Sequence, residues 1–211
     1  MAVERDIISA KKPKDIKIKR DTIRNIAISF IIILILWNSF FVVGAGNKGV
    51  IFNTFTGVKD KTYDEGLHFK IPFFEKPYIF EVRTRIYNAH ASAASKDLQI
   101  VSTEVALNYH INKDKVNNLF KNIGPGYEER IISPSIQEVV KAVTAKSIAE
   151  ELITKREVVK EQIKAALRER LNNYYIVLDD LSVTNFDFSR EFNLAIEQKV
   201  TAEQNALKEQ N

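Results

Sequence analysis

The chain has 211 residues, 31 Lys and Arg against 27 Asp and Glu, no cysteine and a mean hydropathy of −0.18. Without cysteine there are no disulfides and no thiolate metal sites. The first 24 residues hold eight basic and four acidic side chains, so the remaining 23 and 23 cancel, and a neutral body excludes a nucleic-acid binder.

In chain order, residues 1–24 form a basic tail, with seven cations between Lys11 and Arg24. The uncharged run Asn25–Asn47 follows, thirteen of its residues being Ile, Leu, Phe or Val. As one helix its 23 residues would rise roughly 34 Å, enough to cross a hydrocarbon core of about 30 Å. The sequence therefore predicts a single transmembrane helix over 25–47, with the tail cytoplasmic and the body across the membrane. A cleaved signal peptide is the competing reading, because Val43-Gly44-Ala45 resembles a cleavage site, but the run is longer than a signal h-region and begins late.

Beyond the run the chain reads as β, then helix, then strand. Gly49 to Phe55 is β-rich, Thr56-Gly57 marks a turn, and Tyr78 to Val82 gives a short strand. Leu98 to Ile111 carries Val101, Val105, Leu107, Tyr109 and Ile111 on one face, the period of a half-buried strand. Asp114 to Ile123 predicts a short helix stopped by Gly124-Pro125-Gly126. Ser133 and Pro134 predict an N-cap and first helical residue. Thr154-Lys155-Arg156-Glu157 has capping-box form and opens a helix to about Asn172, with Val158, Ile163, Ala166, Leu167 and Leu171 as its apolar stripe. Tyr174 to Phe188 returns to strand with a bulge near Asp179-Asp180. From Arg190 a long helix begins; with no stop signal at Asn211, the native chain is expected to continue.

Sites for chemistry are nearly absent. His68, His90 and His110 lack metal-ligand spacing, and Ser95-Lys96 on extended chain points its side chains apart. Asp179-Asp180 lacks the further oxygens a cation needs. No catalytic, cofactor-binding or metal-ligating residue is assigned, and no cofactor is expected. Phe69-Lys70-Ile71-Pro72-Phe73-Phe74 places Phe69 and Ile71 in the core, whereas Phe73 and Phe74 divide evenly between core and lipid interface. In the last helix Ile196, Val200 and Leu207 are expected to face neighbouring subunits or the preceding domain.

The segments Lys48-Gly49-Val50-Ile51-Phe52-Asn53, Glu65-Gly66-Leu67-His68-Phe69-Lys70-Ile71-Pro72, Ser95-Lys96-Asp97-Leu98-Gln99, Tyr127-Glu128-Glu129-Arg130, Leu152-Ile153-Thr154-Lys155-Arg156, Leu178-Asp179-Asp180 and Ser189-Arg190-Glu191-Phe192, in that order, resemble a prohibitin, within the stomatin/prohibitin/flotillin (SPFH, band 7) superfamily. The resemblance implies an α+β fold of two small tandem α/β subdomains, about 48–95 and 96–188, followed from 189 by the start of a coiled-coil-type helix. It also implies ring or cage oligomers on a membrane (prokaryotic plasma or mitochondrial inner), scaffolding of lipid and membrane proteins without catalysis, and regulation of a membrane AAA+ protease. A monomeric stomatin-like adaptor and a membrane-anchored hydrolase are the alternatives.

Overall fold

The structure is a computed structural model that describes residues 20–184 and 186–209. Most of the basic tail, residues 1–19, lies outside the described residues. Helix α1 spans Arg20–Trp37. It is followed by strands β1 (Phe40–Val43), β2 (Asn47–Asn53), β3 (Gly57–Tyr63), β4 (Gly66–Phe69) and β5 (Glu75–Glu81). The second part comprises β6 (Arg85–Ala94), β7 (Ile100–Ile111), α2 (Val116–Asn122), α3 (Ser133–Thr144), α4 (Ala149–Thr154), α5 (Arg156–Asn172), β8 (Ile176–Val183) and β9 (Asp187–Phe188). Helix α6 covers Arg190–Glu209. The architecture is α+β, as expected.

The expected helix over Asn25–Asn47 is corrected. Helix α1 ends at Trp37, and Phe40–Val43 is a strand paired antiparallel with β4. The reason is local. The Ser39 hydroxyl donates to the Ile35 carbonyl at 2.8 Å, and the Lys70 N–H takes the Ser39 carbonyl at 2.7 Å, drawing the chain into β pairing. Phe-Phe-Val-Val is moreover a strand-forming sequence. Eighteen helical residues rise about 27 Å, and Arg20, Asp21 and Arg24 occupy the first turns. Among the described residues no helix is long and apolar enough to cross a membrane.

Strands β3, β2 and β5 form a three-stranded antiparallel sheet in that order. Pro77 is tolerated because β5 is its edge. The β1–β4 ribbon lies over this sheet through a small core of Phe41, Val43 and Ile51, flanked by Tyr63. A Cβ on Gly49 would stand 3.0 Å from Val43 and 3.3 Å from Phe41, so the glycine is what lets the ribbon approach.

The second sheet runs β6–β7–β8, with β9 pairing the first residues of β7. The alternation of β7 is as expected: Val101, Thr103, Val105, Leu107, Tyr109 and Ile111 are buried, Thr103 donating to the Thr184 carbonyl at 3.3 Å. The bulge is present too, since Asn108 pairs with Asp180 and Tyr109 with Leu178, leaving Asp179 extra. Helices α3 and α5 cover the inner face with Ile136, Val140, Ile163, Leu167 and Leu171. Phe120 joins the two parts, its ring 4.5 Å from that of Tyr78 and 5.8 Å from that of Phe80.

Three local expectations are corrected. Ser133 is no N-cap: its N–H already donates to the Glu128 carbonyl, five residues back, in a π-helical turn (Glu128–Ile132) that runs straight into α3. This wider turn admits Pro134, which has no N–H to give. The Thr154–Glu157 box is not formed, because the Thr154 hydroxyl donates to the Glu150 carbonyl while α4 still continues. One position further on, the buried stripe of α5 begins at Val159, and Val158 is exposed.

Candidate functional site

The outstanding surface is at the α1 end of the molecule. Helix α1 buries none of its residues, and its apolar residues from Ile23 to Trp37, on every side of the helix, are exposed. A helix apolar all round needs apolar surroundings. The helix ends at Trp37, which is itself exposed, and Asn38 follows in a turn.

The chain then enters the β1–β4 ribbon, whose two faces differ. Cross-strand partners Phe40 and Phe69, and likewise Val42 and Leu67, share one face, and all four are exposed. The Phe40 and Phe69 rings meet edge to face at 5.8 Å. Phe41, Val43 and His68 point to the opposite face, where His68 lies 5.5 Å from the Phe41 ring and 5.2 Å from the Tyr63 ring. The expectation that Phe69 and Ile71 fill the core is therefore corrected. Phe69 is 58% exposed and Ile71 is exposed as well, because parity in β4 assigns the inward place to His68.

The loop after β4 extends this surface. Phe73 is 81% exposed on left-handed backbone (φ +69°), and Phe74 is exposed with its ring 5.1 Å from that of exposed Phe55. A buried polar cluster holds the loop in shape. Glu75 accepts from the Ile71 N–H at 2.9 Å and from the Asn53 amide at 3.2 Å, and pairs with Lys59 at 2.5 Å. Burial pushes the Glu75 carboxyl up. The Lys59 ammonium and the Ile71 and Asn53 donors more than offset this, so it ionises below its ordinary value. Thr54 adds its N–H and hydroxyl to the Phe74 carbonyl at 2.9 and 3.1 Å. The aromatics are thus displayed on a braced scaffold.

Elsewhere the polar residues are engaged structurally. Ser95 donates to Asp97 at 2.6 Å, which with the Asp97 backbone and Ala149 N–H groups holds that carboxyl below its usual range; the Ala149 N–H donates to it at 3.0 Å. Asp179 accepts from Thr84 at 2.8 Å and meets His110 at 2.9 Å, while Asp180 pairs with Lys164 at 2.7 Å. A second knot joins Arg85 to Glu128 at 3.0 Å and Tyr109 to Tyr127 at 3.4 Å, Tyr109 also donating to Glu128. Burial first, and then the Glu128 carboxylate, push the Tyr109 phenol far up, so it stays a neutral donor. Among the described residues no group of three His, Asp or Glu is placed to hold a metal ion.

Of the residues singled out for assembly, Ile196 lies half-buried on α6. The side chains of Val200 and Leu207 lie outside the described residues. Phe40, Val42, Phe55 and Leu67 were missed as surface residues. For Phe40 and Val42 the signal is the alternation inside Phe-Phe-Val-Val, which the long apolar run conceals, and for Leu67 it is the alternation around His68. Phe55, in the turn between β2 and β3, carries no such signal.

Residues 41–211 match the SPFH domain / Band 7 family. The chain is 41% identical over 171 residues to "Prohibitin-2, mitochondrial" of Arabidopsis thaliana, covering 81% of this chain and 60% of that protein. It is 41% identical over 166 residues to "Mitochondrial prohibitin complex protein 1" of Caenorhabditis elegans, covering 79% and 60%. To "Prohibitin 1" of Gallus gallus it is 40% identical over 164 residues, covering 78% and 60%. The chain therefore spans about three fifths of the length of the curated relatives it matches.

Proposed function

This chain belongs to the SPFH domain / Band 7 family and is similar to prohibitins, and from that premise we propose that it is a membrane-anchored, non-catalytic scaffold. The observation that carries the reading is the contiguous apolar end: α1, the outward ribbon face and the braced aromatic loop. Burying one phenylalanine in an apolar phase is worth about 1.5–3 kcal/mol. Phe40, Phe69, Phe73 and Phe74 together therefore hold the body firmly against a bilayer that already contains α1. Phe73 and Phe74 are the membrane-interface residues of this proposal.

Copies held in one plane have a raised effective concentration, so weak lateral contacts suffice for a large ring or cage. Ile196, Val200 and Leu207 on α6 are proposed to face neighbouring copies there in coiled-coil fashion. Such an assembly organises lipid and membrane proteins, and it regulates a membrane AAA+ protease by restricting which substrates reach it. In a eukaryote, the mitochondrial inner membrane is the proposed site.

The absence of cysteine gives a direct test. Phe73→Cys and Asn88→Cys, each labelled with an environment-sensitive fluorophore, are compared in vesicles. The Phe73 label should shift to the blue and resist aqueous quencher, and the Asn88 label should not. Equal quenching at both positions would remove the membrane face.

A further inference from the structure

A second large apolar side chain stands in solvent on left-handed backbone. Leu98 has φ +62° and is 83% exposed. The turn that holds it is over-determined. Leu98 N–H donates to the Ser95 carbonyl at 3.0 Å, Gln99 N–H to the Ser95 hydroxyl at 3.0 Å, and Ser95 N–H to the Gln99 carbonyl at 2.9 Å. Asp97 and Lys96 fasten this turn to the start of α4, the Lys96 N–H reaching the Ser147 carbonyl at 2.9 Å. Beside it Ile100, the first residue of β7, is 68% exposed, and Ile148 is partly exposed next to Ala149.

Glycine would satisfy that backbone without strain, and a polar side chain would suit the exposure. Leucine is unfavourable on both counts within a single copy, so its gain has to come from a contact outside it. The bilayer is a poor occupant. Ten residues of β6, about 33 Å of strand, separate this turn from the Arg85 end that adjoins the membrane-proximal sheet.

We propose that the Leu98, Ile100 and Ile148 rim receives the first turns of α6 from a second copy of this chain. Register sets the height: β9 places Phe188 opposite Val101, and α6 starts two residues later, so the root of α6 and the rim stand at one level. Copies anchored the same way up bring equal levels side by side. The first turns of α6 also offer matching chemistry. Phe192 stacks on Phe188 at 5.1 Å, and Leu194 is exposed.

The inference rests on the assembly reading above, and the test separates the two. The full chain is extracted in mild detergent, and its particle mass is compared with that of Leu98→Gly and of Leu98→Lys combined with Ile100→Lys. Leu98→Gly should melt at the same temperature or higher, yet dissociate at a concentration at least tenfold above that of the parent. The double lysine variant should fall to small species while still melting cooperatively. Unchanged particles in both variants overturn the rim and leave the scaffold standing, whereas a parent protein that is itself monomeric overturns both. Mixing a Leu98→Cys copy with a differently tagged Leu194→Cys copy should give a mixed disulfide dimer. A product joined only through position 98 of both copies would overturn α6 as the occupant.

Discussion

The β1–β4 ribbon and the β6–β7–β8 sheet follow the same alternation but turn opposite chemistries outward. Both bury one face: Phe41 and Val43 in the ribbon, Val101 to Ile111 in the sheet. The outward face of the sheet is mostly polar or small, with Asn88, Ser92, Ser102, Glu104 and Asn108, and its exposed apolar residues, Ile86 and Ile100, stand near the sheet's two ends. The outward face of the ribbon is Phe40, Val42, Leu67 and Phe69. A soluble protein rarely shows a contiguous apolar patch without a partner. Alternation therefore tells which side chains share a face, and the chemistry of the second face tells what lies beyond it.

The sharpest way to break the comparison is to empty one inward and one outward position. Leu107→Ala, inside the sheet, should cost about 2–5 kcal/mol in urea denaturation followed by circular dichroism. Phe69→Ala, on the ribbon's outer face, should stay within about 0.5 kcal/mol in the same assay in detergent. A large loss at Phe69 would mean that the ribbon's outer face belongs to the core.

Next in size is the Glu75 brace. Its carboxyl ionises lower in the folded chain than in the unfolded one, so it contributes stability that is complete above the unfolded value. That contribution is lost as pH falls through the folded value. Glu75→Gln should remove charge-assisted hydrogen bonds worth about 1.5–3 kcal/mol at neutral pH. It should also flatten the decline of the melting temperature below about pH 4.3, the ordinary glutamate value. An unaltered pH profile would show that the aromatic loop stands without the brace.

Gly49→Ala tests how closely the ribbon lies on its sheet. A methyl 3.0 Å from Val43 must displace it, at about 1–3 kcal/mol, and amide exchange should quicken in Phe40–Val43 rather than in β7. The smallest effect is expected at His90 and Glu104, an exposed pair 3.4 Å apart on the polar face. There His90→Ala should change stability by no more than about 0.5 kcal/mol in the same melts.

Much of this was legible along the chain because it depends on near neighbours. The period of β7 located the inward residues, and Gly124 (φ +90°) ended α2 as a helix stop should. The parity change at Asp179-Asp180 identified the bulge. What misled was sequence whose local signal serves two states. Phe40 to Val43 is apolar enough to prolong a membrane helix and β-prone enough to pair, and only β4, more than twenty residues on, decides between them. Ser133-Pro134 has the form of a helix start, but the preceding turn widens to admit the proline. Thr154 caps nothing because α4 offers its hydroxyl a carbonyl first.

By itself the sequence determined that this chain is α+β, that its body is neutral and cysteine-free, that an apolar segment precedes that body, and that its ordered motifs belong to one family. These properties reside in composition, periodicity and order along the chain. Only the tertiary structure decided where α1 stops, that Phe69 and Ile71 face outward, and that Phe73 and Leu98 are held outside the chain's own core on left-handed backbone. Each of these depends on a hydrogen bond or a cross-strand partner distant in sequence, such as Lys70 on Ser39 or Asp97 on Ala149. Burial is a property of the partner as much as of the residue.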